Sequence, residues 1–136
     1  MEWNTYELVV HWHEADPAGI AFHGNYLFWV ERAFAALLVA RGYHIEPGQL
    51  AQNVGFPVTW IECRYVRPIP VWSKVNVDIA ISPESNLKKL ITLFRILFSE
   101  TEGLAAEGQI HRRFVEMGSF QMVECPPELR SVFGLH

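Results

Sequence analysis

Cysteine is scarce in this chain: Cys63 and Cys125 are the only two in 136 residues. A disulfide framework is therefore not expected, and a reducing compartment is. Long hydrophobic runs are missing too. The longest, Ala33 to Ala40, falls far short of the ~18 residues a membrane span requires. The opening MEWNTYEL has no basic stretch and no apolar one, so no signal peptide is expected and the protein reads as cytoplasmic. Positive charge is in deficit, with 11 Lys plus Arg against 15 Asp plus Glu and a net charge of −4. That argues against nucleic acid as a partner. There is no Gly-rich phosphate loop, no G-x-S-x-G elbow and no dinucleotide fingerprint.

What is present is apolar and aromatic. Half the residues are hydrophobic and 13% are Phe, Trp or Tyr, which excludes a disordered linker and calls for a real core. The length suits one domain, spanning residues 1–136.

Residues Tyr6 to His13 alternate, with Tyr6, Leu8, Val10 and Trp12 on one face, which predicts a strand. Asp16-Pro17, Gly19 and Gly24 then mark a loop. Asn25 is a candidate cap for a helix over Tyr26 to Arg41 that Gly42 ends. Between Tyr26 and Ala40 only Glu31 and Arg32 are charged, so this helix is expected to be buried nearly all round. In a chain this small, little but a curved sheet can enclose it. Pro47 to Val54 reads as a connector with one helical turn. Four further strands are predicted: Val58 to Arg67, Lys74 to Ser82, Lys88 to Ser99 and Leu104 to Met117. The turns between them look short, which predicts four antiparallel neighbours. A short helix is predicted over Pro126 to Phe133. The class is α+β: an antiparallel sheet of about five strands around one helix.

Polar residues crowd the loop before the helix: His13, Glu14, Asp16 and His23. A helix N-terminus offers free N–H groups and a positive dipole end. A carboxylate there can serve as base or nucleophile while the N–H groups hold an oxyanion. Asp-Pro-x-Gly is equally an ordinary turn sequence. His11, His13 and Asp16 have ligand-like spacing, but no second cluster completes a site, so no metal is expected. Cys63 falls on an apolar strand face and reads as core. Lys88-Lys89 is either solvated charge or a phosphate contact.

The stretch HWHEADPAGIAFHGNYLFWVERAF, His11 to Phe34, resembles the signature of the 4-hydroxybenzoyl-CoA thioesterase family of hot-dog fold acyl-CoA thioesterases. The Asp-Pro-Ala-Gly-Ile loop, the Asn-Tyr pair and the aromatic helix carry the likeness. Beyond Phe34 it rests on element order and length. The resemblance implies a hot-dog fold and hydrolysis of an acyl-CoA thioester, with an aryl-CoA such as benzoyl- or hydroxybenzoyl-CoA as substrate and no cofactor. It implies that Asp16 is the catalytic nucleophile or base, and that a backbone N–H at the His23-Gly24 turn binds the thioester oxygen. Asn25 and Tyr26 match the family's Asn-Tyr, and Glu31 matches an acidic position that shapes the site from the partner subunit. Lys88 and Lys89 lie roughly where relatives bind coenzyme A phosphates. Glu14-Ala15-Asp16 departs from the more common pattern before the proline, so the polar support of Asp16 is expected to differ. The family also implies dimers, often paired into homotetramers. A hot-dog hydratase using His23 and Glu31, and an acyl-CoA-binding domain without catalysis, are the alternatives.

Overall fold

The computed structural model describes residues 1–46 and 48–136. Pro47, where the expected connector begins, lies outside the described residues.

The first strand, β1, covers Asn4–Val9 and is shorter than its alternation predicts. After the buried Val10 the chain tightens into a 3-10 turn, Trp12–Glu14. Trp12 therefore leaves the apolar face it was expected to share and stands 72% exposed.

The helix α1 covers Asn25–Ala40. It contains no Gly or Pro, and it ends where Gly42 turns left-handed at φ +85°. There the Gly42 N–H bonds the Val39 carbonyl and the Tyr43 N–H bonds the Leu38 carbonyl. That pair of bonds closes the helix as a Schellman motif, for which glycine has no Cβ to obstruct it. At the other end Gly24, not Asn25, is the cap residue, and no side chain caps the helix. The Asn25 amide is used elsewhere, donating to the Glu14 carbonyl at 2.8 Å.

One side of α1 is buried, through Tyr26, Trp29, Val30, Ala33, Phe34, Leu37 and Leu38. Each of the larger side chains contributes about 1.5–3 kcal/mol on leaving water. Phe28, Arg32, Ala35 and Val39 stay exposed on the other side. The expectation of all-round burial is therefore corrected: in one chain the sheet covers a single face.

That sheet has five antiparallel strands in the order β1-β4-β5-β6-β3, with β3 at Val58–Tyr65, β4 at Lys74–Ile81, β5 at Lys89–Phe98 and β6 at Leu104–Arg113. The central position of β5 agrees with its apolar character on both faces. One predicted neighbour pair is wrong: β3 lies beside β6 and not beside β4. The link Val66 to Ser73 carries Pro68 and Pro70 and cannot close as a tight hairpin. It crosses to the far side of the sheet instead, with Ile69 fully buried. On the way it pins the Asp16 loop, since the Ala21 N–H bonds the Ile69 carbonyl and the Val71 N–H bonds the Gly19 carbonyl. The β3–β6 pairing depends on Gly108, where a Cβ would stand 1.9 Å from the Glu62 carbonyl oxygen.

The predicted strand Leu104 to Met117 is broken at Phe114, whose buried ring turns the chain out of the main sheet. A second, small sheet follows, in the order β2-β7-β8, from β2 (Val54–Gly55), β7 (Val115–Glu116) and β8 (Gln121–Met122). The 3-10 turn Ala51–Asn53 precedes it. The tail helix α2, Pro127–Phe133, forms as expected and stacks Phe133 on Phe34 of α1. Both cysteines are free, and no described helix is long and apolar enough to cross a membrane.

Candidate active site

The loop between β1 and α1 is tied at both ends. Asp16 forms a turn with its own main chain: its N–H bonds the Ile20 carbonyl at 2.8 Å and its carbonyl accepts the Gly19 N–H at 3.0 Å. Its Oδ1 accepts the Ala18 N–H at 2.8 Å. The turn reading and the reactive reading are thus compatible, because Oδ1 holds the turn while the half-buried carboxylate still faces a cleft.

Glu14, in sequence one of the polar loop residues and a departure from the family pattern, organises the loop. Its Oε1 accepts the His11 N–H at 2.9 Å, and its Oε2 accepts the indole N–H of buried Trp29 at 2.6 Å. Its carbonyl accepts both the Phe22 N–H and the Asn25 side-chain amide. Nothing in the spacing of Glu14 announces a Trp partner fifteen positions on; that contact exists only once α1 packs beside the turn.

The cleft itself is about 310 Å³ and is lined by Asp16, Ile20, His23, Tyr26, Tyr65 and Arg67, among others. Tyr65, from the end of β3, donates its hydroxyl to the His23 carbonyl at 3.1 Å. Its ring lies 5.0 Å from that of Tyr26. The Tyr65 phenol is pushed up to about 12, by partial burial first and then by neighbouring Cys63. Burial also raises Tyr26 and Cys63. The raised phenol of Tyr65 stays protonated at neutral pH and acts as a donor, not a base.

At the helix N-terminus the Asn25 and Tyr26 N–H groups turn back to the Phe22 and His23 carbonyls, at 3.0 and 3.3 Å. Among the described residues, no backbone carbonyl takes the N–H of His23 or Gly24. Asp16 and His23 therefore line one aromatic cleft, and Gly24, beside His23, is not among its lining residues. A carboxylate and an open N–H at such a turn are the parts needed to attack a carbonyl and hold the oxygen it leaves charged.

The remaining candidates lie elsewhere in the chain. Asn25 and Glu31 line a separate groove of about 480 Å³ with His13, Phe28 and Trp29. Glu31 is ion-paired to Arg112, a residue the sequence did not single out. Lys88 lines a third groove, about 420 Å³, with Arg113 and Met122. Lys89 sits opposite Arg113 in the β5–β6 ladder. That groove is at the far end of the sheet from Asp16: Tyr65 pairs with Ala106 at the cleft end, while Val58 pairs with Arg112 at the other. His23 and Glu31 line different grooves. Among the described residues, no three His, Cys, Asp or Glu side chains converge to hold a metal.

Residues 10–133 match the model of the thioesterase-like superfamily, and the chain belongs to that superfamily. This is a broader grouping than the 4-hydroxybenzoyl-CoA thioesterase family that the loop resembles. A search of curated proteins finds no match. Among solved structures, a 1,4-dihydroxy-2-naphthoyl-CoA thioesterase from Synechocystis has a TM-score of 0.88 at 16% identity, with 98% of this chain and 96% of that one covered. A gentisyl-coenzyme A thioesterase gives 0.80 at 23% identity, over 96% and 99%. A DHNA-CoA thioesterase from Staphylococcus aureus gives 0.82 at 23%, over 98% and 85%. At such identities the likeness is one of fold, and the fold is the hot-dog arrangement of a sheet packed on one long helix.

Proposed function

We propose that residues 1–136 form one acyl-CoA thioesterase domain, which hydrolyses an acyl-CoA to a carboxylic acid and coenzyme A. The observation that carries this reading is the meeting of Asp16 and His23 at one cleft, with the N–H groups of the His23-Gly24 turn taken by no described backbone carbonyl. In the general-base form, Asp16 takes a proton from water as the water oxygen bonds to the thioester carbon. The carbonyl electron pair moves onto oxygen, where a backbone N–H of the His23-Gly24 turn holds it. Collapse breaks the C–S bond, and the coenzyme A thiolate leaves and is protonated. In the nucleophilic form the Asp16 oxygen attacks the thioester carbon first, the C–S bond breaks as the coenzyme A thiolate leaves, and water then hydrolyses the mixed anhydride to the acid and free Asp16. A thiolate leaves readily, so this chemistry asks for no metal or prosthetic group.

The acyl group proposed is an aryl one, benzoyl- or hydroxybenzoyl-like. Support comes from the rings of His23, Tyr26 and Tyr65 around the cleft. The acids named for the dihydroxynaphthoyl-CoA and gentisyl-coenzyme A enzymes are aromatic as well.

Two chains complete the proposed site. Strand β3 is last in the sheet, and Val58, Trp60, Ile61 and Tyr65 are exposed along it, with Val66 exposed just beyond its end. Antiparallel pairing of β3 with a second β3 sets the Val58 end of one chain beside the Tyr65 end of the other. The partner's Glu31, Lys88 and Lys89 then approach Asp16, which a single chain keeps them away from.

Asp16→Asn tests the reading. Asn keeps the turn, since its side-chain oxygen still accepts the Ala18 N–H, but it neither attacks as an anion nor takes a proton. With thiol release followed on benzoyl-CoA and aliphatic acyl-CoAs, kcat should fall by at least ~100-fold with the fold intact. Near-normal turnover in this variant would end the assignment of Asp16.

A further inference from the structure

Arg112 is the one buried cation among the described residues, with a side chain only 3% exposed. It lies near the end of β6, opposite Leu90 on one side and Val58 on the other. Its guanidinium stacks 4.2 Å over the Phe34 ring of α1. One nitrogen, Nη2, donates to the Glu31 carboxylate. The other, Nη1, is buried and has no partner among the described residues. Glu31 itself is 51% exposed and lines the groove with His13, Asn25, Phe28 and Trp29.

This arrangement is a poor bargain for stability. Taking a guanidinium out of water is costly, and one half-exposed carboxylate recovers only part of that cost. The open Nη1 adds the penalty of an unmade buried hydrogen bond. An unbranched apolar side chain of similar length would pack against Phe34 and Leu90 without either loss. What the arginine does, and an apolar residue does not, is fix the carboxylate of an otherwise mobile surface glutamate.

We infer that Arg112 is a positioning residue, which holds Glu31 from behind in the orientation that meets acyl-CoA. The inference rests on the reading of Glu31 as a substrate-binding residue. It places the energetic cost of the buried charge on the site and not on the fold.

The experiment is a double-mutant cycle in the full chain: Arg112→Met, Glu31→Gln and the two combined. Three quantities are measured: KM for benzoyl-CoA, Kd for a non-hydrolysable benzoyl-CoA thioether, and Tm. Arg112→Met should keep or raise Tm, because replacing a buried ionic group by an apolar one is often neutral or stabilising. Each single variant should raise KM and Kd by about tenfold, and the double variant should be no worse than the worse single, since both act through one carboxylate. Arg112→Lys, the milder change, is run in the same cycle in case the Met variant folds poorly. Multiplying effects in the double variants, or a lower Tm with unchanged KM and Kd, would make Arg112 merely structural and overturn the inference. An unmutated protein that neither releases thiol from any acyl-CoA nor binds the thioether would sink the thioesterase reading and this inference together. An active protein with uncoupled variants would sink the inference alone.

Discussion

Lys88 and Lys89 show how a loose sequence likeness becomes a local argument. Both of their N–H groups are held by the Asn86 side-chain oxygen, at 2.8 and 3.0 Å, which fixes the start of β5. Arg113 adds a third cation, beside Lys88 in the groove and opposite Lys89 in the ladder. Nearby His111 is lowered by partial burial first and by Lys89 next, the sign expected where positive charge collects. Replacing both lysines by Ala should raise KM for acyl-CoA and leave kcat nearly unchanged, because contacts to remote phosphates bind ground and transition states alike. The effect should shrink at high salt. An unaltered KM at low ionic strength would return the pair to plain surface charge.

At the scale of elements, the tie between the Asp16 loop and α1 runs through Glu14. Glu14→Ala removes the acceptor of the Trp29 indole N–H, which is buried against the sheet. Leaving that donor unpaired should cost about 1–3 kcal/mol of stability, read from the urea midpoint. The same change loosens the turn that carries Asp16, so kcat should fall while the oligomer persists. A variant with full activity and an unmoved midpoint would show that the loop holds its shape through Pro17 and Gly19 alone. This tie was invisible in the sequence for a plain reason. Glu14 and Trp29 are on different elements, and no periodic pattern links a 3-10 turn to a helix packed beside it.

For the whole molecule, the two exposed faces of β3 are the main anomaly. An edge strand with Val58, Trp60, Ile61 and Tyr65 in water invites pairing with another chain. The exposed Phe28 and Val39 on α1 add a second apolar surface for assembly. Light scattering on an active preparation at micromolar concentration should give a dimer or a tetramer. A monomer with full activity would mean that Asp16 works without a partner's Glu31 and lysines.

Local pattern was enough wherever one stretch of chain settles the matter. The period-two run of Val75, Val77 and Ile79 gave β4, the Gly- and Pro-free run to Gly42 gave α1, and the proline before Glu128 gave α2. The Asp-Pro-x-Gly turn and the helix N-terminus after it were legible for the same reason: their hydrogen bonds close within a few residues. Tertiary structure decided the rest. Whether β3 pairs with β4 or β6 depends on how a proline-bearing link crosses the sheet. Whether α1 is wrapped or half exposed depends on how far five strands reach around it. The Glu31–Arg112 pair joins residues 81 positions apart in the chain. No local propensity encodes such a contact, because it forms only when helix and sheet bury the same space.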